Sequence, residues 1–332
     1  MALDVKIIID VVKPVGNVGF GCPLILVENA TKEIAYAEYN DTASIIKAGY
    51  AETTDAYKAA SLMFMQSHSP ETIAICATTG SATTWLGTES NVSKSWRQLI
   101  VINDGTEEKA TAVSDIMTAI EAQTKYPKYF YANLDYDDST EITTTGIERT
   151  LLCYYTPTDD VPVPVAAIAG EVAGLEVGSY TLNNLIVKGV APLELSDSEI
   201  KAIHDKVGVT IVLSAGDAVV SEGKSAGGSY VDDVDGNDYI KQQLEYKIQK
   251  VFNNNLKVPY TNAGISMLES AAISVMADAQ NKGIVESYTV NFAKREDISD
   301  SDRASRKYVG GKIEYSMQGA IHEAEIYCIC TL

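Results

Sequence analysis

The run Gly223-Lys224-Ser225-Ala226-Gly227 is the most chemically suggestive stretch of the chain. It matches Gly-x-Ser-x-Gly, the nucleophile elbow, in which a strained strand-to-helix turn exposes a serine hydroxyl. The elbow needs a helix directly after it. Here Gly228-Ser229-Tyr230-Val231 follows, which is not a helix start, and the only bases on offer are His68, His204 and His322. A flexible Gly/Ser hinge over Gly223–Gly228 is the preferred reading, with a hydrolase using Ser225 as the alternative. The same Gly-Lys-Ser fails as the end of a phosphate-binding loop, because the position five residues before Gly223 is Ala218 and not glycine. Gly16, Gly19 and Gly21 are spaced in the reverse of a dinucleotide fingerprint and read as turn glycines.

Asp232-Asp233-Val234-Asp235-Gly236-Asn237-Asp238 looks at first like a calcium loop. Counted from Asp233, however, the obligatory glycine position holds Asp238 and the closing bidentate glutamate position holds Leu244. The better reading is that Asp235 caps a following helix and Asp238 complements its dipole. The histidines are isolated. The five cysteines, Cys22, Cys76, Cys153, Cys328 and Cys330, are scattered and odd in number, as expected of reduced thiols. No convergent set of acid, base and nucleophile is legible, so no catalytic residue, metal site or cofactor is expected.

Elements that would hold such residues alternate along the chain. Strands are expected at Cys22–Val27, Thr72–Cys76, Trp96–Asn103, Tyr129–Leu134, Thr150–Tyr155 and Val209–Leu213, from short apolar runs bounded by turn residues. Helices are expected from Asp41 or Thr42, after Thr53-Thr54, over Thr106–Thr124 and over Val163–Ala173. That alternation implies an α/β body with a largely parallel sheet. After residue 222 the texture changes. A helix over Gly236–Asn253 carries Ile240, Leu244, Ile248 and Val251. A second over Asn262–Lys282 carries Ile265, Leu268, Ala272, Val275, Met276 and Ala279, with Thr261 as cap and Gly283 as the terminating glycine. A strand over Ile284–Phe292 and a charged linker over 294–311 follow.

The domain limits expected are therefore an N-terminal arm at 1–17, an α/β domain at 18–222, a smaller α+β domain at 223–306 and a C-terminal arm at 307–332. The chain has 332 residues, of which 46% are hydrophobic, enough for a real core. Its 26 Lys and Arg face 45 Asp and Glu, a formal net charge of −19 that argues against nucleic acid and against an anionic membrane surface. No stretch approaches the ~18–20 apolar residues of a membrane span. The start, with Asp4 and Asp10 and no basic region, reads as a strand and not as a signal peptide.

The two ends are unusual. Val5, Ile7, Ile9 and Val11 share one strand face, and Pro14 and Gly16 break it. At the other end Ile321, Ala324, Ile326, Tyr327, Cys328, Ile329 and Cys330 make a strand that is apolar on both sides, with Gly310 and Gly311 as candidate hinges before it. Termini are ordinarily polar and frayed. Two readings stay open on the residues alone: both ends pair within their own sheet, or both are donated to neighbouring copies by strand addition. Donation is energetically substantial. Four buried aliphatic side chains contribute ~1.5–3 kcal/mol each and every backbone hydrogen bond ~0.5–1.5 kcal/mol.

Several segments, in order, resemble the contractile tail sheath family of bacteriophages and phage-derived contractile bacteriocins. They are Ala56-Tyr57-Lys58-Ala59-Ala60 through Met65-Gln66-Ser67 with Glu71–Cys76, Ala166-Ala167-Ile168-Ala169-Gly170 with Gly178-Ser179-Tyr180-Thr181, and Lys188-Gly189-Val190-Ala191-Pro192. The longest runs from Glu222-Gly223-Lys224 through Gly228-Ser229-Tyr230-Val231-Asp232 and Gly236-Asn237-Asp238-Tyr239-Ile240 to Lys257-Val258-Pro259-Tyr260-Thr261-Asn262-Ala263-Gly264-Ile265, and Gly319-Ala320-Ile321-His322 is similar to the start of the family's terminal strand. The resemblance implies a body of subtilisin-like topology without a catalytic set, a smaller C-terminal domain facing a tail tube, and terminal arms that insert into sheets of adjacent subunits. It further implies hexameric rings stacked into a sleeve, with tube, baseplate and tail terminator proteins as partners. The protein is then expected in a virion or bacteriocin particle assembled in a bacterial cytoplasm, and not as an enzyme. A soluble α/β ligand-binding protein, with a pocket at the strand ends, is the third reading.

Overall fold

The computed structural model describes residues 21–104, 111–136 and 142–328. Val5, Ile7, Ile9, Val11, Pro14 and Gly16 of the expected N-terminal arm lie outside these residues, as do Ile329 and Cys330 of the C-terminal one. The chain begins with β1 (Leu24–Glu28), β2 (Ile34–Tyr39), α1 (Thr42–Lys47), α2 (Asp55–Phe64), β3 (Ile73–Ala77), α3 (Ala82–Leu86), α4 (Glu89–Val92) and β4 (Gln98–Asn103). It continues through α5 (Val113–Glu121), β5 (Tyr129–Leu134), β6 (Thr150–Tyr154), α6 (Val165–Gly174), α7 (Asp197–Asp205) and β7 (Gly208–Val209). These strands form one sheet in the order β2-β3-β1-β4-β5-β6-β7, parallel except for β2 against β3.

The central strands β1, β3 and β6 are buried at every residue, as a parallel sheet covered by helices on both faces requires. One face presents Ile25, Val27, Ile73, Ile75, Ile100, Tyr131 and Cys153 to α1, α2 and α6. The other presents Leu24, Leu26, Cys76, Leu99, Phe130 and Leu152 to α3, α5 and α7. The helices α2 and α6 approach so closely at Gly170 that a Cβ there would lie 2.6 Å from the Met63 Cα, so only glycine fits.

Strand and helix types follow the sequence pattern for the long elements. The expected strand Val209–Leu213 is divided between β7 and β8 (Ile211–Ser214), which belong to different sheets, and β9 (Asp217–Val220), the hairpin partner of β8, was not anticipated. The short α7 was not anticipated, although Ser196 and Glu199 form the capping box that announces it.

The C-terminal unit is built from α8 (Val231–Asn254), α9 (Asn262–Asn281), β10 (Val285–Phe292), the short α10 (Asp300–Ala304) and β11 (Gly311–Met317). Thr261 caps α9 by accepting from Gly264 N, and Gly283 takes the left-handed φ of +74° beyond its end. The strands β10 and β11 pair antiparallel from Val285 opposite Met317 to Phe292 opposite Gly311. Their inner face packs Val285, Tyr288, Val290, Ile313 and Met317 against Tyr239, Ile240, Leu244, Met276 and Ala279 of α8 and α9.

Three expectations are corrected here. The Gly223–Gly228 stretch is not a loose hinge: Ser225 and Ala226 are buried, Ala226 N donates to Thr150 O at 2.7 Å, and Val231 N donates to Gly223 O at 3.0 Å. Its glycines let the chain pass tightly over the end of β6. Next, α8 starts at Val231, five residues before the expected Gly236, so Asp235 lies inside the helix and does not cap it. Tertiary pairing with arginines of the body, not capping, accounts for it. Finally, the 294–311 linker contains a 3₁₀ turn at Arg295–Asp297 and α10, and it leads the chain back into β11.

Candidate functional site

Ser225 has no machinery around it. It is fully buried, its Oγ meets no hydrogen-bond partner among the described residues, and each histidine is engaged elsewhere. His68 Nδ1 lies 2.5 Å from the Glu171 carboxylate, His204 Nε2 2.9 Å from Ser221 Oγ, and His322 Nε2 3.0 Å from Thr181 Oγ1. The crevice beyond the carboxyl ends of the parallel strands, where α/β proteins take ligands, is closed by its own side chains. Glu28 at the end of β1 accepts from Ala82 N and Thr111 N, both at 2.7 Å, and Asn29 Nδ2 donates to Asn103 Oδ1 at 3.0 Å. No group of acidic, His or Cys side chains suited to a metal occurs among the described residues.

The acidic run at the start of α8 has a structural task. Asp235 and Asp238 face the body and hold two arginines between them. Arg97, at the head of β4, pairs with Asp235 and lies 2.8 Å from Asp238 Oδ2. Arg149 NH2 lies 2.7 Å from Asp238 Oδ1, and the Tyr180 hydroxyl donates to Asp235 at 2.7 Å. Burial alone would raise the Asp238 carboxyl, but Arg97 and Arg149 outweigh it and hold its pKa below the ordinary value. Beside them Lys128 is buried and donates to the Lys94 and Trp96 carbonyls. Burial, with Arg97 close by, pushes its pKa down to about 7. This network clamps the C-terminal unit to the body. Arg97 was missed in the sequence; the signal that could have found it is a cation inside the apolar strand expected at Trp96–Asn103, a placement that demands an internal anion.

The C-terminal unit presents unfinished surfaces. The outer edge of β10 is partly met by α9: Gln280 Nε2 donates to Glu286 O at 2.8 Å, and Phe292 N donates to Glu269 Oε1 at 3.2 Å. Among the described residues β11 pairs with β10 only. Below β11 runs an apolar groove of about 500 Å³ lined by Ile248, Phe252, Leu268, Phe292, Val309 and Ile313. Phe252 and Val309 are about half exposed, and Leu256 beyond the end of α8 is fully exposed.

Residues 318–328 leave β11 without forming a strand in this chain. Of the residues expected in the C-terminal arm, Ile321, Ile326 and Tyr327 are 90%, 83% and 87% exposed, and Ala324 and Cys328 are exposed as well. Of the expected hinge residues, Gly310 and Gly311 are among the described ones. Gly311 opens β11 opposite Phe292, and a Cβ on Gly310 would come within 2.7 Å of Ala293 and Ile298. The alternation of residue types gave the exposed apolar segment. It gave no sign of the groove, whose lining comes from five separate stretches.

No protein-family model and no curated protein sequence matches the chain. Solved structures match it end to end. A chain of an extracellular contractile injection system, the PVC sheath complex in its contracted state, superposes with a TM-score of 0.72 at 12% identity, over 99% of this chain and 97% of that one. The fold is that of contractile sheath proteins. A chain of the contracted anti-feeding prophage baseplate gives 0.70 at 11% identity over 99% and 98%, and a sheath tail protein of Desulfitobacterium hafniense gives 0.57 at 10% over 86% and 93%. The sheath fold here thus combines the doubly covered α/β sheet with the clamped α8–α9 unit and its two-stranded ribbon.

Proposed function

We propose that the chain is the structural subunit of a contractile tail sheath. Copies polymerise as stacked hexameric rings around a tail tube, and the sleeve contracts to drive the tube through a target cell envelope. The observation that carries this reading is the end-to-end likeness in fold to a chain of a PVC sheath complex. The α/β body serves as a non-catalytic scaffold of subtilisin-like topology, and the 223–306 domain faces the tube. The terminal segments act as arms that tether each copy to its neighbours: residues 1–17 and, because Gly311–Met317 pairs as β11 within its own chain, only the part of the expected 307–332 arm that follows it, from residue 318. Their acceptor is the β10–β11 ribbon. A strand added beside β11 would satisfy its edge and lay apolar side chains over the groove, whose lining is otherwise wet.

Tube, baseplate and terminator proteins are the expected partners, in a phage or bacteriocin particle put together in a bacterial cytoplasm. The test is direct. The purified chain, alone and with a cognate tube protein, is imaged by negative-stain electron microscopy and sized by light scattering. Sleeves with six-fold rings support the reading, whereas a monodisperse monomer at every concentration overturns it.

A further inference from the structure

Past Met317 the chain loses its sheet partner but stays attached to the molecule. Gln318 N donates to Ile284 O at 3.0 Å, and Gly319 turns the backbone with a φ of +64°. The chain then crosses a notch of about 260 Å³ lined by Tyr180, Thr181, Asp232 and Asp233. At its far side His322 enters a socket. Its Nε2 lies 3.0 Å from Thr181 Oγ1, its ring meets Tyr230 edge-on at 4.9 Å, and its Nδ1 is 3.9 Å from Glu222 Oε1. The His322 side chain is 15% exposed, between neighbours that stand in water. Among the described residues, 319–328 makes its hydrogen bonds to the rest of the chain through His322 alone.

We propose that His322 is the positioning residue of the C-terminal segment, a clasp that fixes where and in which direction the segment leaves the subunit. The inference rests on the sheath reading for its purpose, since an arm must leave at a set angle to reach a neighbour. Glu222, from the loop before α8, is the carboxylate that faces the imidazole, and Asp232 in the first turn of α8 lies close enough to interact with it electrostatically. Tyr230 and Thr181 are its neutral neighbours. Lys224 Nζ lies 3.4 Å from Glu222 Oε2 and competes for that carboxylate. Asp232 Oδ1 is buried without a hydrogen-bond partner.

The test uses the whole chain with nitroxide labels at Cys328, in a Cys330→Ser background, and at Ser198→Cys on α7. Cys22, Cys76 and Cys153 are buried and stay unlabelled. Pulsed dipolar spectroscopy reads the spread of distances. The expected result is a narrow distribution for the parent that widens at least twofold in His322→Ala and stays close to the parent's in His322→Gln, whose amide can still meet Thr181. A His322→Ala distribution equal to the parent overturns the clasp. Should His322→Ala prove unfolded by circular dichroism, Thr181→Val serves in its place and must widen the distribution with the histidine present. None of these readings needs sleeves, so failure of the sheath assignment and failure of the clasp are told apart.

Discussion

The α/β body and the β10–β11 ribbon are both sheets packed on helices, but only the body is finished. Its seven strands are covered on two faces, its sheet is closed at one edge by the antiparallel β2, and its strand-end crevice is filled by Glu28. The ribbon has two strands, one covered face and an apolar groove open to water. An isolated two-stranded ribbon is marginal on its own. This one is held by α8 and α9, and these in turn by the arginine–aspartate clamp. Under the proposed function, a chain built this way can keep its fold while its neighbours change, because a strand added to the ribbon would touch none of the contacts that hold the body. Quaternary rearrangement with an intact fold is one of the recognised routes to a two-state assembly.

The largest effect should come from removing the tethers. Deleting residues 1–17 is expected to leave a folded, soluble monomer with a melting temperature close to the parent's and no sleeves in electron micrographs. Long sleeves from that truncation would show that the ribbon is completed in some other way, and the contrast between body and ribbon would lose its functional meaning.

Next in size is the clamp. Arg97→Met leaves Asp235 and Asp238 buried without their main cation, and breaking a buried pair from one side costs about 3–5 kcal/mol. Denaturant unfolding should show this as a lower midpoint. If the comparison of the two regions is right, hydrogen exchange will rise in α8, α9, β10 and β11 before it rises in β1, β3 and β6. Uniform loss of protection across both regions would mean that they unfold as one.

Such a clamp also marks where the sequence stopped being legible. The long apolar strands β5 and β6, and the helices α6 and α9, were readable because local pattern and global role agree there. Asp235 and Asp238 were misread because their local signature, acids at a helix start, is the same whether they face water or a buried arginine 138 residues away. The Gly223–Gly228 run was misread for a related reason. Glycine spacing looks alike in a loose hinge and in a tight buried crossing, and only the carbonyl of Thr150, distant in sequence, decides between them. The exposed apolar segment at 321–328 was visible in the residue types, whereas the groove was not, since it exists only after α8, α9 and β11 have packed.

The groove itself gives the third test. Phe252→Asp and Val309→Asp alter half-exposed side chains, and surface changes of this kind normally shift stability by no more than about 0.5 kcal/mol. The monomer should therefore melt as before, while sleeve yield at a fixed concentration should fall about tenfold. Equal loss of monomer stability would make the groove an ordinary part of the unit's own core.

The last test is of pH, and it separates the two regions by window: stability rises with pH in both, but in different ranges. Lys128 belongs to the body side of the clamp, and its pKa is lowered from 10.5 to about 7 in the folded chain. Between those values the unfolded chain binds the proton and the folded chain does not. Stability should then rise with pH, by about 1.4 kcal/mol per pH unit at most for a single proton. Lys128→Met should remove that slope between pH 7 and 10. Asp238 works in the opposite window. Its depressed pKa contributes stability above the ordinary aspartate value, and this is lost as pH falls below about 4. Unfolding midpoints measured from pH 3 to 10 should therefore show a loss at the acid end that persists in Lys128→Met and a rise at the alkaline end that does not. A slope that survives the substitution would assign the alkaline rise to other groups that titrate between pH 7 and 10, and not to one lysine held dry against Trp96.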